Sequence, residues 1–111
     1  MIDTDHRDRL IFALDVPNLH DAKRWVDLLG DSVTFYKAGL ELCMSGDYFA
    51  VFDLLKNRGK RIFADVKLSD IPATIRGAVA NLAHRGVDFC TLHTTRAGYV
   101  GAVPVRGDMK I

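Results

Sequence analysis

The stretch that decides the fold is Lys60-Arg-Ile-Phe-Ala-Asp65-Val-Lys67-Leu-Ser-Asp70-Ile-Pro72. Its first half is apolar, has the length of a strand, and ends in charged residues. The apolar positions that follow recur at helical spacing from Ile71 to Leu82, and proline is tolerated in the first turn of a helix. The sequence therefore predicts a buried strand over residues 60–67 that leads directly into a helix.

The same alternation recurs on both sides of this stretch. Further strands are predicted at residues 9–16, 33–37 and 87–93, and helices at 19–29 (with Asn18 as N-cap and Gly30 as C-terminal stop) and from Tyr48 to about residue 57. Strands that are apolar on both faces and joined by helices form parallel sheets. The repeat of about 25 residues matches a (β/α)₈ TIM barrel of roughly 250 residues. We predict an α/β fold in which residues 1–93 supply the first four units, a half barrel.

The pattern changes after His93. Glycine or proline interrupts the segment at four positions: Gly98, Gly101, Pro104 and Gly107. Residues 94–111 are therefore expected to be irregular where a helix should follow the fourth strand. They could be a poorly ordered tail or the result of a truncation or a frame change. The first and fourth strands are then expected to be open edges of the sheet.

Composition excludes several classes of protein. The chain has 111 residues and a formal net charge of +1, which gives no reason to expect nucleic acid or a membrane surface as partner. Its apolar runs are too short to span a membrane, and its charged first ten residues do not resemble a signal peptide. Cys43 and Cys90 lack metal-site spacing. Buried free thiols in a reducing cytoplasm are the expectation.

Ionisable residues cluster where the predicted strands end: Asp15, Lys37, Asp65, Lys67 and His93. In α/β barrels this rim carries the ligands and the chemistry. Asp65 and Lys67 are two residues apart, so both side chains should point to one face of the strand. Because unpaired buried charges are costly, these two residues should pair with each other or with Lys37. Such a network would present a preorganised anion and cation to a pocket.

Each of these residues also has a purely structural interpretation. Asp15 could cap the first turn, Lys37 could extend its ammonium to solvent, and Asp65 with Lys67 could be a structural ion pair. Asp70 could be the N-cap of the third helix, and His93 could be an ordinary rim histidine. Six other basic residues are expected to be solvated surface: Lys23, Arg24, Lys56, Arg58, Lys60 and Arg61.

With these residues in view, the sequence resembles the orotidine 5′-monophosphate decarboxylase family. The matching stretches are residues 14–17, 35–41, 63–74, 87–88 and 91–93, and the resemblance covers about residues 10–94. The Asp-x-Lys-x-x-Asp-Ile-Pro element is the most specific of them. The resemblance implies a carbon–carbon lyase that converts orotidine 5′-monophosphate to uridine 5′-monophosphate, the last step of de novo pyrimidine biosynthesis, with neither metal nor organic cofactor.

The resemblance also implies roles for the two charged residues of the third strand. Lys67 is expected to be the proton donor to C6 of the pyrimidine after carbon dioxide departs. Asp65 is expected to lie beside the carboxylate of the substrate, where repulsion is relieved as the leaving group becomes neutral.

Five further positions match residues that bind substrate or complete the charged network. Lys37 and Asp15 are implied to contact the ribose hydroxyls and the network. Asp70 and Thr74 are implied to reach into the active site of the other subunit of a homodimer. His93 is the remaining candidate for substrate binding.

Two alternatives remain open from the sequence. In this family the phosphate contacts and the pyrimidine contacts lie in the second half of the barrel, so the chain could be a weak or non-catalytic truncated fragment. It could also be a related barrel decarboxylase or aldolase of sugar phosphates. Those relatives have a carboxylate for Mg²⁺ where Lys37 stands, and an ammonium cannot ligate a cation.

Overall fold

The computed structural model describes residues 6–111, and the chain divides into two compact units between Ile62 and Phe63. The elements of the first unit are β1 (Phe12–Ala13), α1 (Leu19–Leu29), β2 (Phe35–Gly39), α2 (Leu40–Met44), α3 (Tyr48–Asn57) and the start of β3. The whole of β3 spans Arg61–Leu68, and its residues from Phe63 onward belong to the second unit. The other elements of the second unit are α4 (Pro72–His84), β4 (Phe89–Leu92) and α5 (Arg96–Ala102). Short 3₁₀ helices lie at His6–Arg9, Gly30–Ser32 and Val103–Val105.

Within residues 6–111, β1 pairs in parallel with β2 in the first unit, and β3 pairs in parallel with β4 in the second. Phe12 of β1 lies opposite Tyr36 of β2, and Phe63 of β3 lies opposite Phe89 of β4. Each predicted strand is present but shorter or shifted by a few residues, most clearly β1, which has only two residues in the ladder. No helix in the same described range is both long and apolar enough to cross a membrane.

The first helix begins and ends where the sequence predicts. The Asn18 side chain accepts a hydrogen bond from the Asp21 backbone N–H at 2.8 Å, and Gly30 ends the helix at a φ of +51°, which glycine adopts without strain. The predicted inner face of α3 is also confirmed, since Tyr48, Val51, Phe52 and Leu55 are all buried. These helices cover the apolar strands of the first unit.

Lys60 is not the solvated surface residue that the sequence analysis expected. It is 9% exposed, and its Nζ donates hydrogen bonds to the backbone carbonyls of Gly30 and Val33, both at 2.8 Å. These carbonyls belong to the first residue of the 3₁₀ segment after α1 and to the residue that follows the segment. The long side chain of lysine lets the ammonium reach both while the residue is buried.

The expected irregularity after β4 is wrong for the segment that forms α5. Thr95 caps this helix by accepting a hydrogen bond from the Gly98 N–H, and α5 packs against α4. Gly98 is buried against Thr94, where a side chain would collide. Glycine lowers intrinsic helix propensity by about 1 kcal/mol, but here it permits close packing, and tertiary contacts outweigh propensity. The proposed boundary at residue 93 stays a prediction.

The end of the described chain also departs from the expected tail. The Lys110 N–H donates to the Asp88 carbonyl at 2.8 Å, and the Cys90 N–H donates to the Lys110 carbonyl at 2.9 Å. Lys110 thus forms a parallel bridge with Phe89, and Met109 is buried. The outer edge of β4 is therefore paired along this part, so the expectation of an open edge there is wrong.

Candidate active site at the carboxyl end of β3

The centre of the candidate site is the carboxylate of Asp65, whose side chain is only 13% exposed. Its Oδ1 accepts hydrogen bonds from Lys67 Nζ at 2.9 Å and from Thr91 Oγ1 at 2.7 Å. The expected pairing of Asp65 with Lys67 is therefore confirmed as a contact. Two donors on one oxygen fix the orientation of the Asp65 carboxylate. Its negative charge is thereby held near the carboxyl end of β3.

Lys67 has an unusual backbone. Its φ is +50°, in the left-handed region that costs a residue with a side chain roughly 1–2 kcal/mol. The register between β3 and β4 shifts at the same place: Ala64 pairs with Cys90 and Leu68 with Leu92, so β3 bulges between these pairs. A bulge redirects side chains. The Lys67 side chain is 66% exposed and yet returns to Asp65.

Simple strand alternation does not account for this geometry. On a regular strand, as the sequence predicts, the spacing of Asp65 and Lys67 would place both side chains on one face. Here the contact forms inside a bulged stretch in which Lys67 has a left-handed backbone. The expected contact is therefore present, but on a distorted strand instead of a regular one.

Thr91 is the residue of this cluster to which the sequence analysis gave no role. It lies on β4, donates its hydroxyl to Asp65, and accepts a hydrogen bond from the backbone N–H of Lys67 at 3.0 Å. The available signal was a hydroxyl residue inside an otherwise apolar strand, two positions before His93. Threonine is so common in strands that this signal does not stand out.

The remaining candidates in the second unit lie near the loop after β3. Asp70 and Thr74 are exposed, and so is His93, whose backbone N–H donates to the Leu68 carbonyl. The N-cap of α4 is Ile71, without a side-chain hydrogen bond, so the structural interpretation of Asp70 as N-cap is wrong. Asp70 Oδ1 instead accepts from the Ile71 N–H at 2.7 Å.

Asp15 and Lys37 belong to the first unit. Asp15 is exposed after β1, and the first turn of α1 is capped by Asn18, with the Leu19 N–H donating to the Asp47 carboxylate at 2.9 Å. Lys37 is half-buried in β2, and its backbone carbonyl accepts from the Leu14 N–H. Asp15 therefore follows its strand, as the sequence predicts. Lys37 does not end its strand, because β2 continues to Gly39 and Lys37 is its middle residue.

Other reactive groups contribute little to the site. Cys43 and Cys90 are free, and burial raises the pKa of the Cys90 thiol to about 11. That thiol is therefore neutral at physiological pH and a poor nucleophile. Within residues 6–111, no three or more His, Cys, Asp or Glu side chains are grouped so that they could hold a metal ion.

Comparison with known proteins identifies the family. The model of the Orotidine 5′-phosphate decarboxylase / HUMPS family matches residues 8–102. The chain belongs to this family. The match runs beyond Thr94, where the resemblance was expected to stop, and includes α5.

Curated members of the family match at high identity. An orotidine 5′-phosphate decarboxylase of Xanthomonas euvesicatoria pv. vesicatoria (strain 85-10) is 52% identical over 106 residues, which are 94% of this chain and 44% of the relative. One from Xanthomonas oryzae pv. oryzae (strain PXO99A) is 55% identical over 95 residues, 86% of this chain and 39% of the relative. The chain thus spans less than half the length of these relatives.

Solved structures share the fold of this chain. An orotidine 5′-phosphate decarboxylase from Lactobacillus acidophilus has a TM-score of 0.70 at 32% identity, covering 89% of this chain and 43% of that protein. An uncharacterized conserved protein from Geobacillus kaustophilus has a TM-score of 0.81 at 30% identity, covering 91% and 47%. The predicted fold class is confirmed: parallel strands and helices of a TIM-barrel family, matching about half of each barrel.

Proposed function

We propose that this chain carries the charged half of an orotidine 5′-monophosphate decarboxylase active site. The reaction is the conversion of orotidine 5′-monophosphate to uridine 5′-monophosphate, a carbon–carbon lyase step that ends de novo pyrimidine biosynthesis in the cytoplasm. The observation that carries the proposal is the Asp65–Lys67 pair at the end of β3. Family membership and the relatives' names support the choice of substrate.

In the proposed reaction, the bond between C6 of the pyrimidine and the carboxylate carbon breaks. Carbon dioxide departs, the electron pair stays on C6, and Lys67 Nζ delivers a proton there. Its ammonium also stabilises the negative charge that develops at C6. Asp65 stands beside the substrate carboxylate, and the repulsion between the two anions is relieved as carbon dioxide leaves. The contacts of Asp65 with Thr91 and Lys67 support this role because they fix the carboxylate.

The other matched residues complete the proposal. Lys37 extends the charged network and, with Asp15, binds the ribose hydroxyls, while His93 contributes to substrate binding at the end of β4. Asp70 and Thr74 reach the active site of a second subunit in a homodimer. Their exposure at the start of α4 supports a partner contact, as does the 65% exposure of the apolar Ile71 between them.

The chain alone is proposed to be weakly active or inactive. It spans 44% of the Xanthomonas euvesicatoria relative. In the family, the phosphate contacts and the pyrimidine contacts lie in the second half of the barrel. Binding energy from a remote phosphate drives much of the chemistry in enzymes of this kind, so a site without those contacts loses rate as well as affinity.

A second candidate is a metal-assisted reaction of a sugar phosphate, because the family description covers more than one group of proteins. Lys37 argues against it, since an ammonium at that position of β2 repels a divalent cation. The two candidates separate under chelation. The decarboxylation proposed here persists in EDTA, whereas a Mg²⁺-dependent reaction is lost.

The test measures decarboxylation of orotidine 5′-monophosphate by absorbance. The chain is assayed alone and mixed with the part of the Xanthomonas euvesicatoria relative that lies beyond the matched segment. The relative's own matched segment, mixed with the same part, is the positive control. Lys67→Ala and the exposed-surface variant Lys56→Ala are prepared identically.

We expect decarboxylation in the mixtures that contain the parent chain or Lys56→Ala. The mixture that contains Lys67→Ala should lose this activity. An active positive control beside an inactive parent mixture would contradict the proposal. Equal activity of the parent and Lys67→Ala mixtures would contradict the role of Lys67 as proton donor.

A further inference from the structure

We infer that Thr91 is a positioning residue that holds both charged groups of the site from the neighbouring strand. One hydroxyl fixes the carboxylate of Asp65 and the backbone of Lys67. The consequence for catalysis rests on the proposed function, whereas the positioning itself can be measured without activity.

The Thr91 hydroxyl acts as a donor and as an acceptor at the same time. A threonine hydroxyl has one proton to donate and lone pairs that accept. The proton goes to Asp65 Oδ1 at 2.7 Å, so the 3.0 Å contact with Lys67 uses a lone pair and the backbone N–H. The two hydrogen bonds are linked through one oxygen and polarise each other.

The contact with Lys67 falls where β3 departs from a regular strand. The bulge between Ala64 and Leu68 removes regular ladder partners from the residues inside it. Lys67 adopts a φ of +50° within this interval. The Thr91 hydroxyl takes the place of a ladder acceptor for the Lys67 N–H, and so it holds the distorted backbone that directs the ammonium to Asp65.

A merely structural role for Thr91 makes a different prediction. A polar group inside a strand needs partners, and any acceptor and donor would satisfy it. In that case removal of the hydroxyl would weaken the second unit as a whole. A positioning role instead predicts a local effect, confined to Lys67 and Asp65, with the rest of the β3–β4 ladder unchanged.

The variants are Thr91→Val, which removes the hydroxyl at similar shape, and Thr91→Ser, which retains it. Thr34→Val is the matched control, because Thr34 Oγ1 also donates to a carboxylate, that of Asp8 at 2.7 Å, in the first unit. Amide hydrogen exchange is measured by NMR on the whole chain. The reference amides are His93 and Cys90, whose N–H groups donate to backbone carbonyls in the second unit.

In Thr91→Val we expect the Lys67 amide to exchange about tenfold faster, as for the loss of one hydrogen bond, while the reference amides are unchanged. Thr91→Ser and Thr34→Val should retain parental exchange at Lys67. Unchanged exchange at Lys67 in Thr91→Val would overturn the inference. So would equal acceleration at His93 and Cys90, because that result identifies a general structural role.

The effect of Thr91 on catalysis is measured as kcat and KM in the decarboxylation mixture described above. Thr91→Val should lower kcat by about tenfold to a hundredfold, the range for losing a residue that hydrogen-bonds to a site residue. KM should stay within about threefold of the parental value. Thr91→Ser should recover most of kcat. A Thr91→Val mixture with parental kcat would contradict the catalytic consequence. An inactive parent mixture would count against the proposed function alone, since hydrogen exchange decides the positioning independently.

Discussion

Two lysines at the ends of β3 have opposite environments. Lys60 immediately precedes the strand, is almost fully buried, and donates to two neutral backbone carbonyls. Lys67 lies near the other end, is largely exposed, has a left-handed backbone, and contacts a carboxylate. The residue type is the same, but the partners, the burial and the backbone differ.

The difference follows from the direction of a parallel strand. In barrel folds the amino ends of the strands serve stability, whereas the carboxyl ends carry the chemistry. Lys60 donates to two backbone carbonyl groups of the first unit, where buried polar groups need partners. Lys67 is held at a cost in backbone energy, which is typical of functional positions. We therefore expect mutations at Lys60 to affect stability and mutations at Lys67 to affect activity.

The largest expected effect is on activity at Lys67. In the decarboxylation mixture, Lys67→Ala should lower kcat by about 10²- to 10⁴-fold, the range for loss of a positioned proton donor. Its free energy of unfolding, measured by urea denaturation of the chain, should change by less than about 0.5 kcal/mol, because the side chain is exposed and its ion pair is weak.

A Lys67→Ala variant that unfolds much more readily than the parent would contradict this separation of activity from stability. It would mean that the pair with Asp65 is a structural ion pair, the alternative that the sequence left open.

At Lys60 the expected effect is on stability. Lys60→Met retains much of the apolar stem but removes the donor, so two carbonyls lose their hydrogen bonds. The free energy of unfolding should fall by about 2–3 kcal/mol, measured by urea denaturation. The exposed Lys56→Met on α3 is the matched control and should change stability by less than about 0.5 kcal/mol.

The comparison would fail if Lys60→Met were as stable as the parent. At temperatures where Lys60→Met stays folded, its kcat in the decarboxylation mixture should equal that of the parent. A large loss of kcat without loss of stability would place Lys60 among the functional residues.

The contrast between these lysines also marks what the sequence could predict. Periodicity predicted the strands and α1, because apolar spacing and caps such as Asn18 are local features. The Asp65–Lys67 contact was predicted because charges at the end of a buried strand must pair. Each of these features depends on residues close together in the sequence.

Features that depend on distant residues were missed. The acceptors of Lys60 are Gly30 and Val33, about thirty residues earlier, so its burial has no local signal. The bulge in β3 and the role of Thr91 depend on the register between two strands, which composition does not reveal. α5 was missed because its glycines lower helix propensity, while its packing against α4 is visible only in the fold.

The smallest expected effect is on the free energy of unfolding, and it tests the backbone conformation of Lys67 independently of its side chain. Glycine adopts a φ of +50° without strain, whereas alanine does not. Lys67→Gly should therefore be more stable than Lys67→Ala by about 0.5–1 kcal/mol in urea denaturation, the reverse of their order at an ordinary strand position. The same pair of substitutions at Ile62, a buried strand residue of β3, should show alanine as the more stable. If alanine is also the more stable at position 67, the left-handed conformation is not maintained in solution, and the bulge no longer explains how Lys67 reaches Asp65.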